Sequence, residues 1–509
     1  MQVAGYLGID AGTQGLSVVF TDEGLNVLAV GEANYEMITG LPEGCYEQQP
    51  QDWVQALKLA TEQMQAKLRD ADQEPLVKAI GISGQMHGEV LVDAAGQPLG
   101  PARLWCDARN ANEGDELTEQ LGIKMPKRIT AARWLWTLRH RPELARRVAH
   151  MTTPGGWLAF QLTGRWNLGI GDASGMFPIS QETLDYREDL LDAFDKLVGD
   201  PSIASLRSLL PAVVRAGGNA GALHEQGAKL LRLPIGTLVA AAEGDQPASL
   251  AGSLIGSAGM VSVSFGTSVC ANSVGDRVFE GVSPAVDHFC APDGKPINMV
   301  FLRNGTTYMN TVVEMFGAAM GDHRARMFET LMPLVLEAEP DCGGLLATPF
   351  MDDEPGLGVT SGGTAGLIGV SSSNAVPGNV IKAALLATMF NLKRGSLTLD
   401  QQGFPRKELV LSGGLTRTPR LAQILADVFD TPVTMLDAAS EGCAWGAAQL
   451  AKFRDLHANN NELQWAEFLE RQAGPKSRFE PDAEAVQAYE QVYRRYESLL
   501  LRAANAGLV

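Results

Sequence analysis

The sequence predicts an α/β protein in two halves, the second repeating the plan of the first. Three observations carry this. The chain has 509 residues, too many for one ordinary core. Apolar, β-branched runs alternate with helices of three- and four-residue periodicity. A strand, a small-residue turn and a second strand open the chain at "GYLGIDAGTQGLSVVF" and recur at "MVSVSFGTSVCANSV" (260–274).

The elements follow in order. Residues 3–9 and 16–20 read as strands, with a turn at Asp22-Glu23-Gly24 and a third strand in "NVLAVGEANY". An amphipathic helix follows Pro50, its apolar face made by Trp53, Leu57, Ala60, Met64 and Leu68. "VKAIGIS" reads as a buried strand ending at Gly84-Gln85-Met86-His87-Gly88, and "EVLVDAAGQPLGPARLW" as a hairpin turning at Ala95-Gly96. Residues 215–240 are Gly- and Ala-rich and poor in aromatics, which suits a domain boundary. Beyond the repeat, "NVIKAALLATMFNLKRG" reads as a helix, and "ELVLSGGLTRTPRLAQILADVF" as strand, glycine turn and helix, with Thr418 as its cap. "TPVTML" is a strand. "SEGCAWGAAQLAKF" is a helix whose Gly442, Ala444, Gly446 and Ala447 suit close packing on another backbone. Residues 455–482 are polar, and an amphipathic helix through Val486, Tyr489, Val492, Tyr496 and Leu500 closes the chain.

A net charge of −18 disfavours nucleic acid or anionic membrane as partner, although a turn can still be locally positive. The six cysteines are scattered, without zinc-like spacing, as in a reduced compartment. No basic-then-apolar leader opens the chain, and "AALLATMFNL" is too short to span a bilayer. A cytoplasmic protein is expected, with a homodimer as one expected assembly. Asn304-Gly305-Thr306 reads as a chance glycosylation sequon.

The opening turn suggests chemistry. Glycine turns let backbone amides converge on phosphate, Thr13 adds a hydroxyl, and Asp10 is an oxygen ligand suited to Mg²⁺. The alternative is an acid solvating a hairpin end. In the repeat, Gly266-Thr267 matches Gly12-Thr13, and Ser264 stands where Asp10 stands. Neither a P-loop nor a Rossmann fingerprint occurs at the first turn. The turn at Ser412-Gly413-Gly414 could pack against a nucleobase or ribose, or simply connect strand to helix. Asp245, in Gly244-Asp245-Gln246, could be a general base, a helix cap, or both. His87, with Gln85, Trp105 and Asp107, would suit a polyhydroxylated molecule.

On these residues the chain resembles the FGGY carbohydrate kinases, most closely their xylulokinase branch, over nearly its full length. The stretches that carry the likeness are "YLGIDAGTQGLSVVFTDEG", "YEQQPQDWVQAL", "GISGQMHGEVLVDAAGQPLGPARLWCDARN", "TAARWLW" with "HRPE", "VSFGTS", "GTAGLIGVSSSNAVPGNVIKAALLATMF" and "LSGGLTRTPRLAQILADVF". The resemblance implies an actin-like ATPase fold of ribonuclease H-like topology, its two domains facing across a cleft. It implies domains at 1–240 (sugar and first phosphate turn) and 241–455 (second phosphate turn and adenosine turn), with a tail at 456–509. The implied reaction is ATP-dependent phosphorylation of a small ketose, D-xylulose first, with Mg²⁺. Met86, His87, Trp105, Asp107, Asp245 and Gln246 would bind sugar. Thr13, Gln14, Gly266, Thr267, Gly413 and Gly414 would bind ATP. Asp245 would be the base, and Asp10 would hold the metal.

Three departures stand out. Ala242-Glu243-Gly244-Asp245-Gln246 replaces the usual Gly-Gly-Gly-Asp-Asn, and its Gly-Asp-Gln resembles glycerol kinases. The family's S-G-E-R-T-P stretch is absent. Leu415 stands where a third glycine is common. The alternatives are a kinase of another pentulose or polyol such as ribulose, glycerol or erythritol, a non-catalytic sugar- or nucleotide-binding regulator, and an actin- or chaperone-like nucleotide switch.

Overall fold

The computed structural model describes residues 1–320, 324–436, 442–472 and 476–507. They form two compact units, each with its own apolar core. The first comprises Met1–Gly256, His288–Ile297 and Ser440–Ala473. The second comprises Ser257–Asp287, Asn298–Ala439 and Gly474–Val509.

In the first unit, β1 (Gln2–Ala11), β2 (Gly15–Asp22) and β3 (Val27–Asn34) form an antiparallel meander. Strand β4 (Glu74–Gly84) runs parallel to β1, and β5 (Leu238–Val239) runs parallel to β4. The short β6 (Glu243–Gly244) pairs with the end of β4. The sheet order is thus β5-β4-β1-β2-β3. Helix α1 (Pro50–Asp70) starts at its proline and buries Trp53, Leu57, Ala60, Met64 and Leu68, as the periodicity predicts. Further along lie α2 (Thr130–His140), the fully buried α3 (Ile170–Met176) and α4 (Asp245–Gly252).

The second unit repeats the arrangement. Strands β7 (Met260–Phe265) and β8 (Val269–Val274) form a hairpin. Strands β9 (Val286–Cys290) and β10 (Pro296–Leu302), whose residues 288–290 and 296–297 fall in the first unit, precede α5 (Thr307–Met320), α6 (Arg324–Glu337) and α7 (Pro377–Gln401). Strand β11 (Glu408–Gly413) runs parallel to β7, and β12 (Val433–Leu436) parallel to β11. The order is β9-β10-β8-β7-β11-β12-β13, with β13 (Lys476–Phe479) added antiparallel at the edge. The register carries the duplication to single residues. Asp10 lies opposite Ser17 and Ser83, and Ser264 lies opposite Cys270 and Ser412.

The units depart from the expected boundaries at 240 and 455. Helix α4 belongs to the first unit, and so does α9 (Gly442–Ala458). The reason is steric. A Cβ on Gly8 would stand 1.9 Å from the carbonyl oxygen of Ala444, and one on Gly81 1.8 Å from that of Ala447. The small face of α9 therefore lies on bare backbone of β1 and β4. The stretch 456–509 is not a separate tail. Trp465, Phe468 and Leu469 bury into the first unit, whereas β13 and the closing helix α10 (Ala483–Asn505) belong to the second. Helix α8 (Leu421–Phe429) begins after a 3₁₀ turn at Gly414–Arg417, so Arg420 rather than Thr418 stands at its cap. Among the described residues, no helix is long and apolar enough to cross a membrane.

Candidate active site

The first unit gathers its polar residues at the C-terminal ends of β1 and β4. Asp10 ends β1 beside Ser83 of β4. Burial pushes its carboxyl above the usual carboxylate range, with the neighbouring Ser83 hydroxyl acting the other way. Its Oδ1 is buried without a hydrogen-bond partner.

The turn after Asp10 is closed from within. The Gly12 amide donates to the Gly15 carbonyl at 2.9 Å, and the Tyr35 hydroxyl donates to the Gly12 and Gly15 carbonyls at 2.6 and 3.1 Å. The Gly12 amide is therefore engaged in the turn, contrary to the expectation that it points at phosphate. Gln48 donates to the Thr13 carbonyl at 2.7 Å and accepts from Gln85 at 2.9 Å and Trp53 at 3.1 Å. The Thr13 hydroxyl accepts from the Trp105 indole at 3.1 Å. One network thus ties the turn to the residues expected around the sugar. Gln14 is exposed, and its carbonyl accepts from Tyr35.

Asp245 is the first residue of α4, and the Gln246 amide donates to its carboxylate at 2.8 Å. Burial, and then the charge of Asp10, push Asp245 up to about 7. Met86 is buried against the preceding Gly244, where a Cβ would meet Met86 Cγ at 2.1 Å. His87 takes a left-handed backbone, with φ at 65°. Its Nδ1 lies 2.9 Å from the Gly175 carbonyl of α3. Burial and the Arg128 and Arg133 charges push it down to about 3, so the ring is neutral. A carbonyl can only accept, so Nδ1 carries the proton and Nε2 is left as an acceptor. Trp105 is 41% exposed, as a wall residue would be.

Asp107 is a correction. It is fully buried, and its carboxylate accepts from the Tyr46 amide at 2.9 Å and pairs with Arg109 at 2.6 Å. Burial alone would raise its pKa, but these partners outweigh burial and hold it below the usual range. It anchors its loop and leaves little of its carboxylate for a ligand.

Sequence reasoning missed the acids behind Asp245. Asp172 of α3 is buried, accepts from Thr153 at 2.5 Å and is pushed up to about 8 by burial. Glu243 accepts from the amides of Gly171 and Asp172 at 3.3 and 2.9 Å. The run "GDASG" was the available signal: an acid among small residues.

In the second unit, a cavity of about 900 Å³ is lined by Gly266, Thr267, Gly414, Leu415 and faces of α5 and α6. The Gly266 amide closes its turn on Ser268 at 2.9 Å, as Gly12 does on Gly15. Gly413 has φ at 80°, and a Cβ there would stand 2.5 Å from the Phe265 carbonyl, so only glycine fits. The stretch read as a chance sequon is structural here. The Gly305 amide donates to Thr267 at 2.9 Å, and the Thr306 amide and hydroxyl each donate to Gly266 at 2.8 Å. Apolar Phe328, Met332 and Leu336, with polar Asn310 and Glu329, complete a cavity suited to a flat, partly polar ligand.

Residues 5–252 match the N-terminal domain of the FGGY family of carbohydrate kinases, and residues 261–453 match its C-terminal domain. The chain belongs to that family. It is 28% identical to the xylulose kinase of Haemophilus influenzae, over 96% of this chain and 98% of that one. The structure of xylulose kinase from Rhodospirillum rubrum superimposes with a TM-score of 0.82 at 20% identity, covering 98% of this chain and 99% of that one. Plasmodium falciparum glycerol kinase with ADP gives 0.79 at 20% identity, covering 98% of each. The fold is the two-domain FGGY kinase fold of the actin-like ATPase class, and the chain is an ATP-dependent carbohydrate kinase.

Proposed function

We propose that this kinase phosphorylates a small ketose, D-xylulose first, giving D-xylulose 5-phosphate, in the cytoplasm. The observation that carries the chemistry is the buried pair Asp10 and Asp245. Each is lifted by burial, and Asp245 is set near 7 with Asp10 adding to the lift. A base poised there takes a hydroxyl proton at neutral pH. The sugar oxygen so activated attacks the terminal phosphorus of ATP in line. Neutral His87 accepts from a sugar hydroxyl, and Trp105, Met86 and Gln246 shape the rest of the acceptor site. Thr13 and Gln14 are the phosphate-binding residues of the first unit, and Gly266 and Thr267 those of the second, where Gly413 and Gly414 lie against the adenosine.

Asp10 fits Mg²⁺. Its orphaned buried Oδ1 is a free oxygen ligand, and among the described residues no cluster of three acids, histidines or cysteines would bind a metal by itself. That suits an ion held by one carboxylate, phosphate oxygens and waters. Such an ion supplies charge neutralisation on the transferring phosphoryl group.

A second reading, a kinase of another pentulose or a polyol, is favoured by Gln246, one methylene longer than the usual Asn. The test is a coupled ADP-release assay with Mg-ATP across D-xylulose, L-xylulose, D-ribulose, L-ribulose, glycerol, erythritol, ribitol and gluconate. Preference for D-xylulose supports the first reading, and preference for another member supports the second. ATP binding without turnover of any member would favour a sugar- or nucleotide-binding regulator.

A further inference from the structure

Arg133, on α2, is fully buried, yet among the described residues none of its hydrogen bonds goes to a carboxylate. All of them go to backbone carbonyls. Nε donates to Leu104 at 3.0 Å, Nη2 to Trp105 at 2.8 Å, and Nη1 to His87 at 2.9 Å and to Arg128. Two of these acceptors are the main chains of the residues that present an imidazole and an indole to the acceptor. His87 needs such restraint. A non-glycine residue at φ 65° is held against its own preference, and structure around it must fix it there. The Thr130 hydroxyl, one turn earlier on α2, reaches the same His87 carbonyl at 3.2 Å.

The neighbouring buried charges show why the guanidinium is available for this. Glu89 pairs with Arg103 at 2.6 Å, and Asp107 pairs with Arg109 at 2.6 Å. Both acids are taken by other arginines. Arg133 is left to a ring of carbonyl oxygens, where a planar fork of five donors can bridge chain segments that a single ammonium cannot span.

We infer that Arg133 is a positioning residue for the acceptor site: its guanidinium clamps the His87 and Trp105 main chains together and so sets acceptor affinity. This rests on the reading of His87 and Trp105 as acceptor-binding residues. Arg133 is buried and its hydrogen bonds end on main-chain carbonyls, so it acts through those residues.

The test is steady-state kinetics of the full chain and of Arg133→Lys and Thr130→Val, with D-xylulose varied at saturating Mg-ATP and the reverse. R133K keeps the charge and loses the fork. It should raise the acceptor KM at least ~10-fold while the ATP KM stays within about 2-fold, because misplacement of a positioning group falls on the ligand it positions. T130V removes one donor to His87 alone. It should move the acceptor KM the same way, by roughly 3-fold, a typical net worth of one hydrogen bond. An acceptor KM unchanged in R133K, or both KM values rising together, would overturn the inference. If R133K fails to fold, an acceptor KM unchanged in T130V overturns it instead. If the wild type phosphorylates glycerol rather than D-xylulose, the ketose reading fails, and the same ratios are measured with glycerol, where the inference stands or falls on its own.

Discussion

The ring of His87 is fastened through Nδ1 to the carbonyl oxygen of Gly175, 2.9 Å away. This bond fixes the tautomer. The donor side faces α3, and Nε2 is an acceptor. With its pKa pushed down to about 3, the ring stays neutral wherever the enzyme works. His87→Ala should raise the acceptor KM about 3- to 10-fold, the range for one lost hydrogen bond, and leave the ATP KM nearly unchanged. Equal changes in both would place His87 away from the acceptor.

The proposed base, Asp245, predicts a pH profile. Its pKa is raised, to about 7, so the free enzyme is protonated and idle below that value and competent above it. kcat/KM should therefore fall tenfold per unit on the acid side. Because the charge of Asp10 contributes to the rise, a bound cation should move this limb to lower pH. The limb cannot belong to His87, whose ring is already neutral at these pH values. Asp245→Asn should abolish the limb and lower kcat roughly 10²- to 10⁴-fold, the range for a general base, while ATP still binds. Substantial residual turnover in D245N would remove Asp245 from that role.

Asp10→Ala tests the metal. Without the buried, unpartnered Oδ1 of Asp10 at the end of β1, Mg²⁺ should be needed at higher concentration, and kcat should drop roughly 100-fold. A titration of rate against Mg²⁺ that superimposes on the wild type would count against this assignment.

Much of the architecture was legible because it is written in local pattern. The periodicity of α1 and the twin turns at Gly12 and Gly266 need only neighbouring residues to be seen. The alignment of Ser264 with Asp10 survives to the register of the sheets, Ser264 against Ser412 as Asp10 against Ser83. What escaped was long-range. Nothing local says that α9 returns to cover β1 and β4, some 360 to 440 positions earlier in the chain. The burial of Asp107 depends on Arg109 and Tyr46 folding over it. Asp172 becomes important only because α3 is carried to the back of Asp245, and Arg133 looked like one helical residue among many until its carbonyl partners were in place.

Asp172 makes a prediction about stability. Burial, with Asp245 adding to it, pushes its carboxyl up to about 8, well above its unfolded value. A raised acid pKa means that the folded state keeps its proton where the unfolded chain has lost it. This contribution to stability is full below the unfolded pKa and declines as pH rises towards 8. Each pKa unit corresponds to about 1.4 kcal/mol, so the decline is on the order of a few kcal/mol. Ligand-free protein should lose urea resistance between pH 6 and pH 9, and Asp172→Asn should flatten that dependence. Parallel slopes for the two proteins would show that Asp172 is not buried as an acid.

Gly81→Ala probes the packing that carries the site. Gly81 has no need of a left-handed backbone, so its only constraint is space. A Cβ would stand 1.8 Å from the Ala447 carbonyl oxygen and 2.6 Å from its carbon, and neither can swing away as a side chain could. The helix itself must retreat from the sheet, which costs about 1–3 kcal/mol or more. Ala447→Gly cannot rescue the variant, because the obstacle is main chain and not the methyl group. Activity should fall with stability, since the first turn of α9 reaches the proposed base: the Cys443 thiol donates to the Asp245 carbonyl at 3.3 Å. Urea unfolding of G81A and of G81A/A447G, with kcat measured on each, checks both parts. A loss below about 0.5 kcal/mol would mean that α9 lies less tightly on β4 than these contacts require.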